Sequence, residues 1–464
     1  MMNMKPRGFL IIAVVLIAAG FITLTVTRDK INLVLISIDT LRPDHLGCYG
    51  YDRDTSPNMD SIAREGAIFK TVISQSSWTL PAHATLLTST YPSVHGVTRD
   101  DKALDPKLVT LAELLRENGY MTAAFTGGGY MHKRFGFSQG FEVYMDSYVD
   151  ARGSYSPFLD VHWSSFRSVL LNWLNANHDE PFFLFIHSYD VHKPYDPPAE
   201  YVRRFYPSCR GEIITFLAHD TVVIKGVENP VVKIPVDSLS SGEIDHIVAH
   251  YDAEIRLVDE EVGILLEALE RYGIKDETMI VITSDHGEQF LEHGGLGHRN
   301  TLFEEELRVP LLIRFPPFIK QGTVIEAPVA IVDIMPTLLE LMRLRRGDFD
   351  GESILPLLKG QHRQPLIISE YQEGGLASIR DGRYKLIVSQ ADRLLHLYDI
   401  IDDPGELADI AANQPYTRDR LFNELRERIV EQRLEGEKYR GAEAGEAGKE
   451  YIQQQLKALG YIEE

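Results

Sequence analysis

The sequence predicts an α/β fold in which helices sandwich a mostly parallel central sheet. Four short apolar runs are nearly continuous rather than alternating, at residues 31–38, 120–125, 181–186 and 279–283. Runs of this kind are typical of strands that are buried on both faces of a parallel sheet. Helical patterns lie between them, at residues 108–118 and 247–272. Strands that alternate with helices indicate one sheet between two helical layers.

The composition is that of a folded, acidic protein. The chain has 464 residues, 44% hydrophobic and 25% charged, which suggests two or three domains or one large domain with a smaller one. The balance of 47 Lys and Arg against 68 Asp and Glu gives a net charge of −21, which argues against a nucleic-acid partner. Two cysteines, Cys48 and Cys209, exclude a disulfide-dense scaffold and a zinc module of several thiolates; whether they pair is left open.

The N-terminus predicts export. Residues 8–26 are 19 uncharged positions, close to the roughly 20 that a helix needs to cross a bilayer. Lys5 and Arg7 precede them, and the more positive side is expected inside. We therefore expect residues 1–30 to form a membrane anchor and linker of a single-pass membrane protein, with the catalytic domain on the outer (periplasmic or extracellular) side. A cleaved signal peptide is the alternative, and it would also export the chain.

Three of the apolar runs end in polar residues of types that can bind metals. The endings are residues 37–40 with Asp39, residues 187–192 with two histidines, and residues 284–288 with Asp285 and His286. Ligands bind beyond the carboxyl ends of the strands in such sheets. Asp, Ser and Gly also follow strands as ordinary turn residues. Three such endings in one sheet favour a divalent metal site.

A candidate nucleophile lies between the first two runs. Residues 82–88 form a helical run, and Pro81 suits its first turn. Thr79 then lies at or next to the N-cap, where the positive end of the helix favours an alkoxide or a bound anion. His83 lies about one turn further on and can reach the same anion. The ordinary alternative is a threonine cap followed by a surface histidine.

Together these segments resemble the sulfatase family of the alkaline phosphatase superfamily, from about residue 32 to residue 406. The matching segments are residues 38–50, 57–66, 79–83, 187–195, 284–288, 309–314, 333–338 and 398–406. The resemblance implies a catalytic α/β domain at residues 31–345. It also implies a smaller C-terminal antiparallel α+β subdomain at residues 346–409, followed by a helical tail at residues 410–464. Residues 207–243 have little family character and are interpreted as a lid or insertion.

The sequence departs from the family pattern at its most reactive positions. Sulfatases carry Cys or Ser in a C/S-x-P-x-R pattern, and that residue is oxidised to formylglycine. This chain has Thr79 and His83 at the corresponding positions, so no formylglycine is expected. It also has Asp285-His286 where Asp-Asn is common and His298 where a lysine is usual. These features are similar to phosphodiesterases, phosphoglycerol transferases and phosphoethanolamine transferases.

The resemblance implies a set of site residues. One divalent ion (Mn, Zn, Mg or Ca) would be held by Asp39, Thr79, Asp285 and His286. The residues that would neutralise the reacting oxygens or protonate the leaving group are His83, His192 and His298. Asp190 with His192 and His298 around a second metal is the alternative.

The hypothesis from the sequence is an exported, membrane-anchored hydrolase or transferase that cleaves a phosphoric ester through a covalent Thr79 intermediate. The substrate would be an ester, with a lipid headgroup or a glycan as options. Two alternatives stay open. One is a sulfuric ester hydrolase that works without formylglycine, and the other is a catalytically inactive anchored scaffold.

Overall fold

A computed structural model describes residues 31–439, except for gaps at 147, 150–154, 157–161, 218–220, 227–230, 300, 345–346 and 390–393, and also residues 442–443. Within this part of the chain the dominant feature is an eight-stranded sheet. Its strands in chain order are β1 (Asn32–Ile38), β2 (Ala67–Phe69), β3 (Met121–Thr126), β4 (Val143–Met145), β5 (Phe182–Ser188), β6 (Thr278–Thr283), β7 (Leu311–Arg314) and β8 (Thr323–Ile325).

The strand order across the sheet is β8-β2-β7-β6-β1-β5-β3-β4. Across the sheet, neighbouring strands are parallel from β4 through β3, β5 and β1 to β6, whereas β7 pairs antiparallel with both β6 and β2. Every residue of β1, β5 and β6 is buried, because these strands form the middle of the sheet and carry the apolar runs. The predicted mostly parallel α/β sheet is confirmed.

The main helices are numbered in chain order. They are α1 (Pro57–Glu65), α2 (Thr79–Thr88), α3 (Leu111–Glu117), α4 (Trp163–Asn177), α5 (Ala199–Phe205), α6 (Ser241–Arg271), α7 (Ile334–Leu341) and α8 (Pro415–Gly436). Single-turn α-helices are Pro92–His95, Glu304–Leu307 and Leu355–Leu358. Short 3₁₀ turns are Pro43–His45, Gly47–Tyr49, Gly129–Met131, Lys133–Phe135, Val236–Ser238, Lys275–Glu277 and Ile331–Asp333.

Helix α6 begins earlier than its apolar pattern predicts. Ser240 and Glu243 form a capping box, in which each side chain binds the other residue's backbone N–H. The first turns of α6 are mostly exposed or half-buried, and continuous burial starts near Ile247. The cap therefore fixes the start of the helix, while the apolar face marks only the part that packs on the sheet.

The C-terminal part is a small antiparallel sheet with a helix on it. Its strands, paired in sequence order, are β9 (Ile367–Tyr371), β10 (Leu376–Arg380), β11 (Tyr384–Ser389) and β12 (Leu394–Asp399). Helix α8 buries Leu421, Leu425 and Ile429 against this sheet. The predicted antiparallel sheet and C-terminal helix are confirmed. The described residues from Asn32 onward form one compact unit, and the domain boundaries at residues 345 and 409 stay predictions.

The segment interpreted as an insertion contains a three-stranded antiparallel sheet, which we call the insertion sheet: Ile213–Leu217, Thr221–Lys225 and Val232–Pro235. The remaining short strands pair as Val72–Ile73 with Arg308–Val309 and Val329–Ala330, Gln289–Phe290 with Leu296–Gly297, Tyr148–Val149 with Tyr155–Ser156, and Lys102–Ala103 with Ala442–Glu443. Cys48 and Cys209 are both free thiols, so they do not pair.

The structure corrects the predicted location. The proposed anchor at residues 8–26 lies outside the described residues. Among the helices in the described part of the chain, none is long and apolar enough to cross a bilayer. The longest of them, α6, is amphipathic and lies against the central sheet with a polar outer face. The single-pass membrane location is therefore wrong on this evidence.

Candidate active site

The four residues predicted to bind one metal ion come together at the carboxyl edge of the central sheet. Thr79 Oγ1 donates a 3.3 Å hydrogen bond to Asp39 Oδ2 and lies 3.4 Å from His286 Nε2. His286 Nε2 lies 3.7 Å from Asp39 Oδ1 and 3.4 Å from Asp285 Oδ2. All four side chains are buried. The strand endings and the helix start therefore converge, and the role of these four residues as metal ligands stays a prediction.

Strand register explains this convergence. Ser37 of β1 is paired with Thr283 of β6 and with His187 of β5, so the three strands end at the same level. The chain then turns at Thr40, whose φ of 57° is left-handed. This turn directs the backbone N–H of Thr40 towards Asp285 Oδ1, at 3.4 Å. Asp39 and Asp285 consequently lie side by side, with the first turn of α2 and its Thr79 facing them.

The electrostatics of the two carboxylates fit a cation. Asp39 Oδ1 and Asp285 Oδ2 are buried and accept no hydrogen bond from the described residues. Burial and the neighbouring Asp285 charge raise the pKa of Asp39 well above its ordinary value. Burial also raises the pKa of Asp285, but His286, His83 and other neighbours outweigh it and lower this pKa overall. Two carboxylates, an imidazole and a hydroxyl form a donor set that suits a divalent ion.

His286 has the tautomer that a metal ligand requires. Its Nδ1 lies 2.9 Å from the carbonyl oxygen of Gly287, which can only accept, so Nδ1 carries the proton. Nε2 then faces the two carboxylates and the Thr79 hydroxyl. Burial lowers the pKa of His286, but the charges of Asp285 and Asp39 outweigh it and raise this pKa overall, so a metal ion would displace a proton from Nε2. Gly287 is needed here because a Cβ at this position would lie 2.0 Å from the backbone oxygen of Glu305. A backbone carbonyl that orients a ligand histidine is a common outer-shell arrangement.

His83 contacts the backbone carbonyl of Thr79, the predicted nucleophile. Its Nδ1 is 2.9 Å from the Thr79 carbonyl oxygen and 3.4 Å from Asp285 Oδ2, and its Nε2 is 3.0 Å from Ser37 Oγ. Both ring nitrogens are therefore engaged. Burial lowers the pKa of His83 to about 3, so the ring is neutral. These contacts make His83 a residue that fixes the start of α2 and the Asp285 carboxylate.

His187 was missed as a site residue although its strand ending was recognised. Its Nε2 lies 3.3 Å from Asp39 Oδ2, and its ring centroid is 4.9 Å from that of His83. Burial lowers the pKa of His187 to about 4, so a neutral ring donates to Asp39. The register of β5 with β1 could have identified His187, because His187 lies opposite Ser37, and Ser37 is two positions before Asp39.

His192 and His298 form a second group beside the metal ligands. Their ring centroids are 5.0 Å apart, and the centroids of His298 and His286 are 4.4 Å apart. His298 Nδ1 lies 2.9 Å from Glu288 Oε1, while Tyr195 donates its hydroxyl to Glu288 Oε2 at 2.9 Å. Glu288 thus orients His298 as a carboxylate orients a catalytic histidine. The sequence marks Glu288 as part of a strand ending but not for this role.

Asp190 does not face this histidine pair. Its carboxylate accepts from the backbone N–H of Trp163 at 3.0 Å, at the start of α4, and lies 2.8 Å from His162 Nδ1. It also accepts from the Ser188 hydroxyl. The carboxylate is therefore used to hold α4 against β5. The alternative of a second metal held by Asp190, His192 and His298 finds no support in this geometry.

The arrangement as a whole suits the cleavage of an ester that carries an anionic group. A buried hydroxyl lies against two carboxylates and an imidazole, and a histidine pair lies on one side of it. The hydroxyl is at the start of a ten-residue helix, where backbone N–H groups and the helix dipole favour negative charge.

Comparison with known proteins identifies the family. The model of the Sulfatase family matches residues 31–344, and a model described as N-sulphoglucosamine sulphohydrolase, C-terminal, matches residues 291–435. The chain therefore belongs to the sulfatase family. It is an ester hydrolase of the sulfatase superfamily, a family that generally uses a divalent metal.

Individual relatives agree with this assignment. An ulvan-active sulfatase of Formosa agariphila is 28% identical over 71% of this chain and 65% of its own length. The structure of BT4656 in complex with its substrate, D-glucosamine-2-N,6-O-disulfate, has a TM-score of 0.71 and 21% identity over 89% of this chain and 99% of that one. The phosphonate monoester hydrolase of Agrobacterium radiobacter has a TM-score of 0.71 and 24% identity over 88% and 96%. This chain is similar in fold to both structures.

The comparisons change the order of the functional hypotheses. Sulfatases predominate among the relatives, so the sulfuric ester alternative fits better than the phosphoric ester hypothesis. The identity of the nucleophile and the absence of formylglycine stay predictions.

Proposed function

We propose that this protein is a metal-dependent sulfuric ester hydrolase that uses the unmodified Thr79 hydroxyl as its nucleophile. The observation that carries the proposal is the position of Thr79 Oγ1, 3.3 Å from Asp39 Oδ2 and 3.4 Å from His286 Nε2, at the start of α2. Family membership supplies the reaction class. The relatives' names include a sulfatase active on ulvan and an N-acetylglucosamine-6-O-sulfatase, so a glycan sulfate ester is the proposed substrate class.

Asp39, Asp285, His286 and Thr79 would hold the divalent ion, which would acidify the hydroxyl and offset the charge of the ester. Asp39 Oδ2 accepts the proton of the Thr79 hydroxyl along their hydrogen bond. The Thr79 oxygen then attacks sulfur in line with the departing alcohol, and the bond between sulfur and the alcohol oxygen breaks. His187 and His83 keep the two carboxylates in place during this step.

The leaving alcohol needs a proton, and His298 is the proposed donor. Its Nδ1–H is held by Glu288, which stabilises a proton at Nε2 in the way a carboxylate stabilises an imidazolium. After the alcohol leaves, His298 can accept a proton from the water that attacks the Thr79 sulfate ester. Cleavage of that ester at its sulfur–Thr79 oxygen bond releases sulfate and restores the hydroxyl. His192, whose ring meets that of His298 edge to face, is proposed to share the anion.

A second candidate function is the cleavage of phosphoric or phosphonic esters. It is favoured by Thr79 itself, because formylglycine formation starts from Cys or Ser. The four predicted ligands are all present and converge, which speaks against an inactive scaffold.

The test is an assay of the metal-loaded full chain with aryl sulfate, aryl phosphate, aryl phosphodiester and aryl phosphonate monoester, each with Mn, Mg, Ca and Zn. We expect aryl sulfate to be turned over and Thr79→Ala to abolish that turnover. Thr88→Ala is the matched control, because Thr88 lies on the same helix and bonds only local oxygens. Turnover restricted to phosphorus esters would favour the second candidate, and equal sulfate turnover by Thr79→Ala would refute the proposed nucleophile.

A further inference from the structure

A second group of metal-binding side chains lies away from the candidate active site. We call Cys209, Glu212, His246 and His250 the cysteine–histidine cluster. Each residue offers one ligand atom, and the four atoms all lie within 4.8 Å of one another. Cys209 and Glu212 lie just before the insertion sheet, and the two histidines belong to α6. None of these residues has a part in the proposed reaction.

The separations between these atoms match a tetrahedral ion. A zinc ion with bonds of about 2.0–2.3 Å sets its ligand atoms roughly 3.3–3.6 Å apart. Cys209 Sγ lies 3.2 Å from Glu212 Oε2 and 3.9 Å from His250 Nε2. His246 Nε2 lies 3.2 Å from His250 Nε2 and 4.0 Å from Glu212 Oε2. These four distances bracket the expected value, and the other two pairs of ligand atoms also lie within 4.8 Å.

The backbone holds the cluster in a binding geometry. His246 and His250 are one helical turn apart on α6, so their rings project from the same face. The backbone N–H of Gly211 points at Cys209 Sγ, at 3.4 Å, and that of Arg210 donates to Glu212 Oε2 at 2.8 Å. Burial and the Glu212 carboxylate raise the pKa of the Cys209 thiol overall, although the Gly211 hydrogen bond lowers it, so a metal must displace the thiol proton. Burial raises the pKa of Glu212, but the backbone hydrogen bond from Arg210 and other neighbours outweigh it and favour the ionised carboxylate.

The surroundings exclude water from most of the cluster. Cys209 and His250 are buried, and Cys209 belongs to an apolar group that includes Val202 and Ala249. The Tyr206 ring stacks on His246 with centroids 4.4 Å apart. Burial lowers the pKa of both imidazoles, which favours their neutral, metal-binding form.

We propose that the cysteine–histidine cluster is a structural zinc site that fastens the insertion sheet to α6. Four protein ligands leave no open position, which is the arrangement of a structural rather than a catalytic zinc ion. A thiolate and two imidazoles favour zinc over magnesium or calcium, whereas the ligand set predicted for the active site has one imidazole and no sulfur. Binding displaces the Cys209 thiol proton to solvent.

The site would also steady one wall of the active site. Ile214 of the insertion sheet forms a backbone bridge with Tyr195, through hydrogen bonds of 2.7 and 2.9 Å. Tyr195 in turn donates to Glu288, which orients His298. Loss of zinc is therefore expected to lower the melting temperature and to loosen this chain of contacts without removing any active-site ligand.

The test uses cobalt, whose bond to a thiolate gives a charge-transfer absorption band in the near ultraviolet. The full chain would be stripped with a chelator and titrated with Co²⁺ alone, and then with Zn²⁺ as a competitor. We expect one cobalt per chain to produce the band and zinc to abolish it. Cys209→Ser should lose the band, whereas Cys48→Ser should keep it, because Cys48 is the only other thiol and lies outside the cluster.

A second series separates this site from the active site. Asp285→Asn removes an active-site carboxylate and should leave the cobalt band intact, while His250→Gln should lose it. Zinc should raise the melting temperature of Asp285→Asn but not that of the double variant Asp285→Asn/Glu212→Gln, in which a ligand of each site is lost. Glu212 is only partly buried, so its replacement by glutamine disturbs little packing. A band that survives in Cys209→Ser, or no band in the full chain, would overturn the proposal.

Discussion

At the scale of single residues, the site depends on one hydroxyl held against two buried carboxylates. Thr79 and Asp39 share a hydrogen bond, and Asp285 contributes an oxygen that accepts no hydrogen bond from the described residues. The neutral rings of His83 and His187 contact these carboxylates without adding charge. The proposed mechanism divides the duties accordingly: Thr79 would attack, the carboxylates and His286 would bind the metal, and His83 and His187 would hold the carboxylates in place.

Replacement of the nucleophile gives the sharpest prediction at this scale. Thr79→Ser keeps the hydroxyl and should retain activity within about 10-fold, whereas the isosteric Thr79→Val should lower kcat/KM by at least about 10³-fold. Steady-state kinetics with aryl sulfate measure both. Equal losses in the two variants would mean that Thr79 acts through its shape rather than through its oxygen.

Glu288 is predicted to act as a positioning residue. Glu288→Gln keeps the shape of the side chain but removes the charge that stabilises a proton on His298. We expect kcat to fall about 10–100-fold with little change in KM, and the limb of the pH profile that reports His298 to move to lower pH. Tyr195→Phe, which removes only the second hydrogen bond to Glu288, serves as the control and should have a smaller effect. An unchanged pH profile in Glu288→Gln would contradict the assignment.

At the scale of elements, the parallel strands set the site because their ends are level. The apolar runs predict β1, β3, β5 and β6 within one or two residues, since continuous burial leaves little choice of structure. The polar endings predict that Asp39, Asp285 and His286 lie together, because parallel strands end at one edge of the sheet, and their role as metal ligands stays a prediction. The contacts of His187 and Glu288 depend on the register between strands and on loops far apart in the sequence, which a single sequence does not reveal. The cysteine–histidine cluster cannot be predicted from the sequence for the same reason, since 41 residues separate Cys209 from His250.

The turn after β6 carries a prediction of its own. Gly287→Ala adds a Cβ that would lie 2.0 Å from the Glu305 backbone oxygen, so the turn that presents His286 must shift. We expect the free energy of unfolding to fall by about 1–3 kcal/mol and metal affinity to fall with it. Gly242→Ala in α6 is the matched control, because no atom lies within 4 Å of its added Cβ. Urea denaturation and metal titration of both variants would check this, and normal metal affinity in Gly287→Ala would contradict it.

At the scale of the whole molecule, the sequence predicts the layered α/β fold and the small C-terminal sheet correctly. It fails on location, because the described helices include none that could cross a bilayer. It also predicts no more than a helical tail at residues 410–464, whereas α8 packs Leu421 and Leu425 into a core. The polar composition of α8 does not reveal its apolar face, because only a few of its residues are buried.

Buried neutral histidines predict that the folded protein is sensitive to acid. His95, which lies outside the active site, has its pKa lowered by burial to about 3. Between that value and the ordinary value of about 6.5, the unfolded chain binds a proton that the folded chain does not. Stability contributed by neutral His95 is therefore complete above pH 6.5 and is lost as the pH falls.

His95→Gln should remove this part of the pH dependence. The wild-type protein is expected to lose about 2 kcal/mol more than His95→Gln between pH 7 and pH 5. The exposed His362→Gln is the control and should follow the wild type. Urea unfolding at the two pH values measures the difference, and identical pH dependence in His95→Gln and the wild type would refute the prediction.

The most direct single measurement is the chemical state of Thr79 during turnover. The metal-loaded protein would be mixed with excess aryl sulfate, quenched rapidly in acid and digested, and the peptide that contains Thr79 would be examined by accurate-mass spectrometry. We predict an unmodified threonine before mixing and a sulfate ester on its oxygen at the earliest times. Continuous turnover with a Thr79 peptide that never carries the ester would contradict the proposed mechanism.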